Sequence, residues 1–124
     1  MRPARFGALA VAFALAGCAW PTHDEATLKG VAVACQHLMT TEALDTDYGP
    51  YPKYSGVPQK RWPPAIASLH PQDVSVFQTG CDIQIKPMFD GGWGYFVPRA
   101  RGQLPEPRGR YTDLGYGVYW YRPD

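Results

Sequence analysis

The stretch Asp73-Val74-Ser75-Val76-Phe77-Gln78-Thr79-Gly80-Cys81-Asp82-Ile83-Gln84-Ile85-Lys86 decides the fold. Val74 and Val76 alternate with Asp73 and Ser75, and Cys81, Ile83 and Ile85 alternate with Asp82, Gln84 and Lys86. Successive side chains of a strand point to opposite faces, so this alternation predicts two half-buried strands. Gln78-Thr79-Gly80 supplies the turn between them, and the segment reads as a hairpin with one apolar face. Cys81 lies on that face.

Upstream, the segment from Thr27 to Leu44 contains no proline. Leu28, Val31, Ala32, Cys35, Leu38 and Met39 recur at helical spacing, so the segment is read as an amphipathic helix with Cys35 on its buried stripe. Asp24 or Thr27 suits the start as a cap, while Gly30 weakens the helix locally. A helix stripe and a sheet face that each bury a cysteine can meet as a Cys35–Cys81 disulfide. Two separate buried thiols are the alternative.

Downstream, Phe89-Asp90-Gly91-Gly92 is a turn signal, followed by a short strand from Trp93 to Val97. From Pro98 to Arg110 the chain reads as an exposed loop, with Arg99, Arg101, Arg108 and Arg110 set against Glu106. A last strand is expected from Tyr116 to Tyr121. Between helix and hairpin, residues 47–64 contain five prolines interspersed with Tyr48, Tyr51, Tyr54 and Trp62, which excludes a helix. That segment is read as an irregular connection whose aromatics pack down on the domain, or else as an extended recognition element. Ala65 to Leu69 allows one helical turn. The expected fold is therefore α+β, one N-terminal helix on a small antiparallel sheet of about four strands. The other sheet face is then free to stay wet, carrying tyrosines or tryptophans.

The N-terminus follows a different logic. Two arginines, Arg2 and Arg5, precede an apolar run from Phe6 to Ala16. Such a run is too short to span a bilayer, which takes roughly 20 residues, but suits the core of an export signal. Leu15-Ala16-Gly17-Cys18 then resembles the lipobox of bacterial lipoproteins at all four positions. That resemblance, confined to the first 20 residues or so, implies cleavage before Cys18, lipidation of its sulfur and acylation of its new amino group. It also implies outer-membrane placement facing the periplasm, because Ala19 stands where the inner-membrane retention signal has Asp. The expected organisation is a signal peptide over 1–17, a tether over 18–26 and a single domain over 27–124. With Cys18 acylated, Cys35 and Cys81 remain as a pair in a compartment that permits disulfides.

Composition narrows the function. The chain has 124 residues and twelve Lys and Arg; without Arg2 and Arg5 ten remain against eleven Asp and Glu. That near-neutral balance argues against bulk attraction to nucleic acid. His23, His37 and His70 are scattered, and neither a metal-ligand spacing nor a phosphate-binding glycine loop occurs, so no cofactor or metal is expected. Arginine and tyrosine are favoured at interaction hot spots, and Arg99, Arg101, Arg108, Arg110, Tyr119 and Tyr121 are the candidate binding residues. The plain alternative is that these aromatics form core and these arginines solvate a loop. The expected function is a non-enzymatic envelope lipoprotein binding a protein partner, as a toxin-neutralising module or an accessory of an envelope assembly. The rival is a small cell-wall-directed enzyme using a carboxylate such as Asp82, Asp90 or Glu106.

Overall fold

In the computed structural model, the described residues are 20–89 and 91–123. The expected signal peptide, Cys18 and Asp90 lie outside them. Helix α1 spans Glu25–Thr41. Asp24 caps it, its carboxylate accepting from the Thr27 amide at 2.9 Å and the Thr27 hydroxyl at 2.7 Å. These bonds hold the Asp24 carboxyl below the usual carboxylate range. Leu28, Val31, Cys35, Leu38 and Met39 are buried as their spacing requires, joined by Ala34. The helix takes in Glu25 and Ala26, at the end of the expected tether.

The sheet has seven strands rather than four. In chain order they are β1 (Thr46–Tyr48), β2 (Tyr51–Gly56), β3 (Asp73–Phe77), β4 (Gly80–Lys86), β5 (Trp93–Pro98), β6 (Tyr111–Gly115) and β7 (Val118–Tyr121). Their spatial order is β1-β2-β3-β4-β5-β7-β6, antiparallel throughout. The three additional strands lie where alternation is weakest. β1 and β2 come from the proline-rich segment, where Pro52 sits in a strand near the sheet edge, as a residue without an N–H can. β6 forms a hairpin with β7 through Gly115-Tyr116-Gly117, all three at positive φ.

Helix α1 packs against β4, β5 and β7. Val74, Val76, Cys81, Ile83, Val97 and Val118 meet its stripe, and all are at most 2% exposed. A short helix α2 (Pro64–Ala67) closes one side of this core with Ile66. Trp62 packs beside it, its indole N–H donating to the Val57 carbonyl at 2.8 Å. Two ties fix the ends of α1. Arg99 donates to the Met39 carbonyl at 3.1 Å and also to the carbonyls of Phe77 and Gln78, binding the helix C-terminus to the β3–β4 turn. Ahead of the helix, the Thr22 amide donates to the Tyr95 hydroxyl at 2.8 Å. Burial pushes the Tyr95 phenol above its ordinary value, so it stays protonated.

Candidate functional site

The two expected cysteines meet in the core. Cys35 on α1 and Cys81 on β4 are fully buried, with sulfurs 2.7 Å apart. Both are free thiols in this structure, Cys35 Sγ donating to Cys81 Sγ. Burial, then the neighbouring Cys81, pushes the Cys35 thiol well above its ordinary value.

Five of the six arginines and tyrosines named from the sequence divide between two depressions, and Arg108 lines neither. The larger, about 470 Å³, runs between α1 and the β6–β7 turn. Arg99, Arg101 and Tyr119 line it, together with Gln36, Asp113 and Tyr116. Arg99 is committed to the three backbone carbonyls described above. Arg101 is exposed and makes no hydrogen bond or ion pair among the described residues. Tyr116 is the unusual member. It is 48% exposed and held at φ +60°, a left-handed conformation that costs a bulky residue about 1 kcal/mol or more. The adjoining glycines make the turn possible, and the Lys29 ammonium sits 5.3 Å from the Tyr116 ring centroid. Lys29 is itself paired with Glu25 at 2.8 Å.

The smaller depression, about 270 Å³, lies on the sheet face away from α1. Phe77, Asp82, Phe96, Tyr111 and Tyr121 line it from β3, β4, β5, β6 and β7. The loop that follows β5 adds Pro105 and Arg110. Register explains the grouping. Asp82 faces Phe96 across β4 and β5, and Tyr121 faces Tyr111 across β7 and β6. Gly94 stands between β4 and β7 without a side chain, so the Tyr121 ring crosses it and donates to Asp82 Oδ1 at 2.6 Å. The Arg110 guanidinium covers that ring at 5.1 Å and Tyr111 at 5.7 Å, its Nε donating to the Arg122 carbonyl. Tyr121 is thus buried, not offered to solvent, and Phe96 is buried beside it. Arg108 turns into its own loop and donates to the Gly102 carbonyl.

Among the described carboxylates, Asp82 is the one whose carboxyl is displaced furthest from its ordinary value. Burial raises its carboxyl to about 6, with the Tyr121 hydrogen bond pulling back, Asp73 adding and Arg110 subtracting. Tyr121 is pushed up by burial and by the Asp82 charge, so its hydroxyl remains a donor. Alternation already marked Asp82 as outward-facing. Its place under Tyr121 was not readable, because the strand order β5-β7-β6 was not.

Gly94 supplies a direct check. A Cβ there would lie 2.6 Å from the Tyr121 hydroxyl and 2.3 Å from the Ile83 carbonyl. Gly94→Ala is expected to cost about 2 kcal/mol through displaced packing and the lost Tyr121–Asp82 bond. Urea unfolding measures the loss, and a carbon-detected titration of Asp82 would move upward with it.

Among the described residues no three of His, Cys, Asp and Glu gather as a metal site. No described helix is long and apolar enough to cross a membrane. Compared with protein-family models, with curated proteins and with solved structures, the chain matches none.

Proposed function

We propose that the chain is an envelope lipoprotein, held in the membrane through acylated Cys18, whose domain binds a protein partner through the groove between α1 and the β6–β7 turn. One observation carries the binding reading: Tyr116, a bulky aromatic, is kept half-exposed in a left-handed conformation at the lip of that groove. Backbone strain of this kind concentrates at functional sites, and nothing in the core requires a tyrosine there. Arg101 beside it supplies a second side chain of the type that dominates interface energetics. The Cys35–Cys81 pair, oxidised in this compartment, staples the helix to the sheet that together form the groove. A toxin-neutralising module and an envelope-assembly accessory are both forms of this reading.

The test is capture of cross-linked partners from intact envelopes. Wild-type protein is expected to retain a discrete partner that Tyr116→Gly loses. The glycine relaxes the left-handed position, so the variant is expected to remain as stable as wild type. Equal capture by both proteins would remove Tyr116 from the site. In the same cells Cys18→Ala is expected to leave the membrane fraction; its full retention there would refute the anchor.

A second reading has its own support. Asp82 in an aromatic cleft, with its carboxyl raised to about 6, suits a general acid. Wall-degrading activity that Asp82→Asn abolishes would establish that rival.

A further inference from the structure

We propose that Phe89, Met88 and Trp20 seat in the lipid surface, so that the domain rests on the membrane that anchors it instead of swinging above it. The inference builds on the anchor reading. With cleavage before Cys18, only Cys18 and Ala19 would precede Trp20, and the Thr22 amide is already fixed to the Tyr95 hydroxyl. Four residue steps of about 3.5 Å separate Cys18 from Thr22, so the acylated residue stays within about 14 Å of that bond. A domain held so closely has one end against the bilayer.

The topology says which end. Tyr95 lies two residues into β5, about 7 Å along the strand from the β4–β5 connection. The opposite end of the sheet holds the β3–β4 turn, where Arg99 grips the C-terminus of α1. The membrane-proximal end is therefore the one that carries the β4–β5 loop.

That loop presents an apolar tip, where Phe89 is fully exposed and Met88 is 53% exposed. Trp20, on the segment ahead of α1, is 56% exposed. The tip is closed by the Gly91 amide donating to the Met88 carbonyl at 3.1 Å. Behind it, Gly92 packs so tightly that a Cβ would stand 2.1 Å from the Lys86 carbonyl. A large aromatic wholly in water at the apex of a tightly closed turn has no role in the core. Beside a lipidated terminus it has one, since aromatic and aliphatic side chains partition into the interfacial region. The other exposed apolar residues, Val33 and Tyr116, lie on the outer face of α1 and in the β6–β7 turn.

Charge at this end is mixed: Lys86 and Asp90 flank the apolar pair in sequence, Arg110 stands against Gly91, and Asp24 and Glu25 follow Trp20. Docking is therefore driven by apolar contact, and high salt should leave it in place.

The experiment uses the full chain, processed in cells, purified and reconstituted in phosphatidylethanolamine–phosphatidylglycerol vesicles with brominated acyl chains. Phe89→Trp adds a reporter at the tip, and Val33→Trp adds one on the outer face of α1. The emission added by Phe89→Trp is expected to be quenched by brominated lipid, at low and high salt alike, while that of Val33→Trp is not. Equal quenching of both, or of neither, overturns the docking proposal while leaving the anchor intact. Mass spectrometry of the same sample separates the two claims: an unacylated Cys18 overturns both.

Discussion

Reduction is expected to remove about 4 kcal/mol from the unfolding free energy of the domain, the largest single effect anticipated for this protein. Cys35 and Cys81 are 46 positions apart. Closing a loop of that length restricts the unfolded chain by about 4 kcal/mol in the chain-entropy treatment. The bridge would join the middle of α1 to the first residues of β4, the central strand of the seven. Both side chains already point into the same buried site. For a domain of this size the loss corresponds to roughly 15–30 °C in Tm. Once formed, the bridge is shielded, since both sulfurs are inaccessible and thiolate is the attacking species in exchange. Thermal unfolding with and without reductant gives the difference, and labelling of denatured, unreduced protein counts thiols. The double variant Cys35→Ala, Cys81→Ala should melt near the reduced protein and ignore reductant. Labelling of both cysteines in unreduced protein, with superimposable melts, would show two free thiols instead.

The elements read correctly from sequence are those whose two faces differ in chemistry. Val74 and Val76, then Cys81, Ile83 and Ile85, alternate against polar neighbours, and β3 and β4 follow. The α1 stripe is equally clear because Leu28, Val31, Cys35 and Leu38 face one core. β6 was missed for a physical reason. In Tyr111-Thr112-Asp113-Leu114-Gly115 no residue is fully buried, so an edge strand leaves no alternation to read. The segment of β1 and β2 was missed because its prolines suggested irregular backbone, although an edge position tolerates them. These omissions also hid the candidate sites. The larger groove needs the β6–β7 turn as its second wall, and the smaller cleft needs Tyr111 beside Tyr121. Arg99 looked like a binding residue by composition, yet its guanidinium is a brace between helix and sheet. Arg101, two residues on from Arg99 in the same loop, makes no hydrogen bond or ion pair among the described residues and is left to contact something outside the chain.

The second large effect is a fall in stability as pH rises from about 4 to about 6. The Asp82 carboxyl shifts from 3.8 to about 6 on folding. Between those values the folded state binds the proton that the unfolded state releases, so unfolding is favoured as pH increases. The stabilising contribution of protonated Asp82 is fully present below about 4 and is lost once pH passes about 6. Moving the carboxyl from 3.8 to about 6 amounts to about 3 kcal/mol. Asp24 works in the opposite direction, because its carboxyl is lowered; its contribution disappears only as pH falls below the ordinary carboxylate value. Asp82→Asn keeps an oxygen to accept from Tyr121 and removes the buried charge. That variant is expected to exceed wild type by about 3 kcal/mol at pH 8 and to match it near pH 4. Arg110→Ala should move the Asp82 titration further up, because the guanidinium favours the ionised carboxylate. Urea unfolding at several pH values reads the stability, and a carboxyl titration reads the group itself. A titration midpoint near 4 would contradict the whole account. If the midpoint is near 6, the chain carries at neutral pH an ionised carboxylate that weakens its own sheet, where asparagine would preserve the hydrogen bond at lower cost.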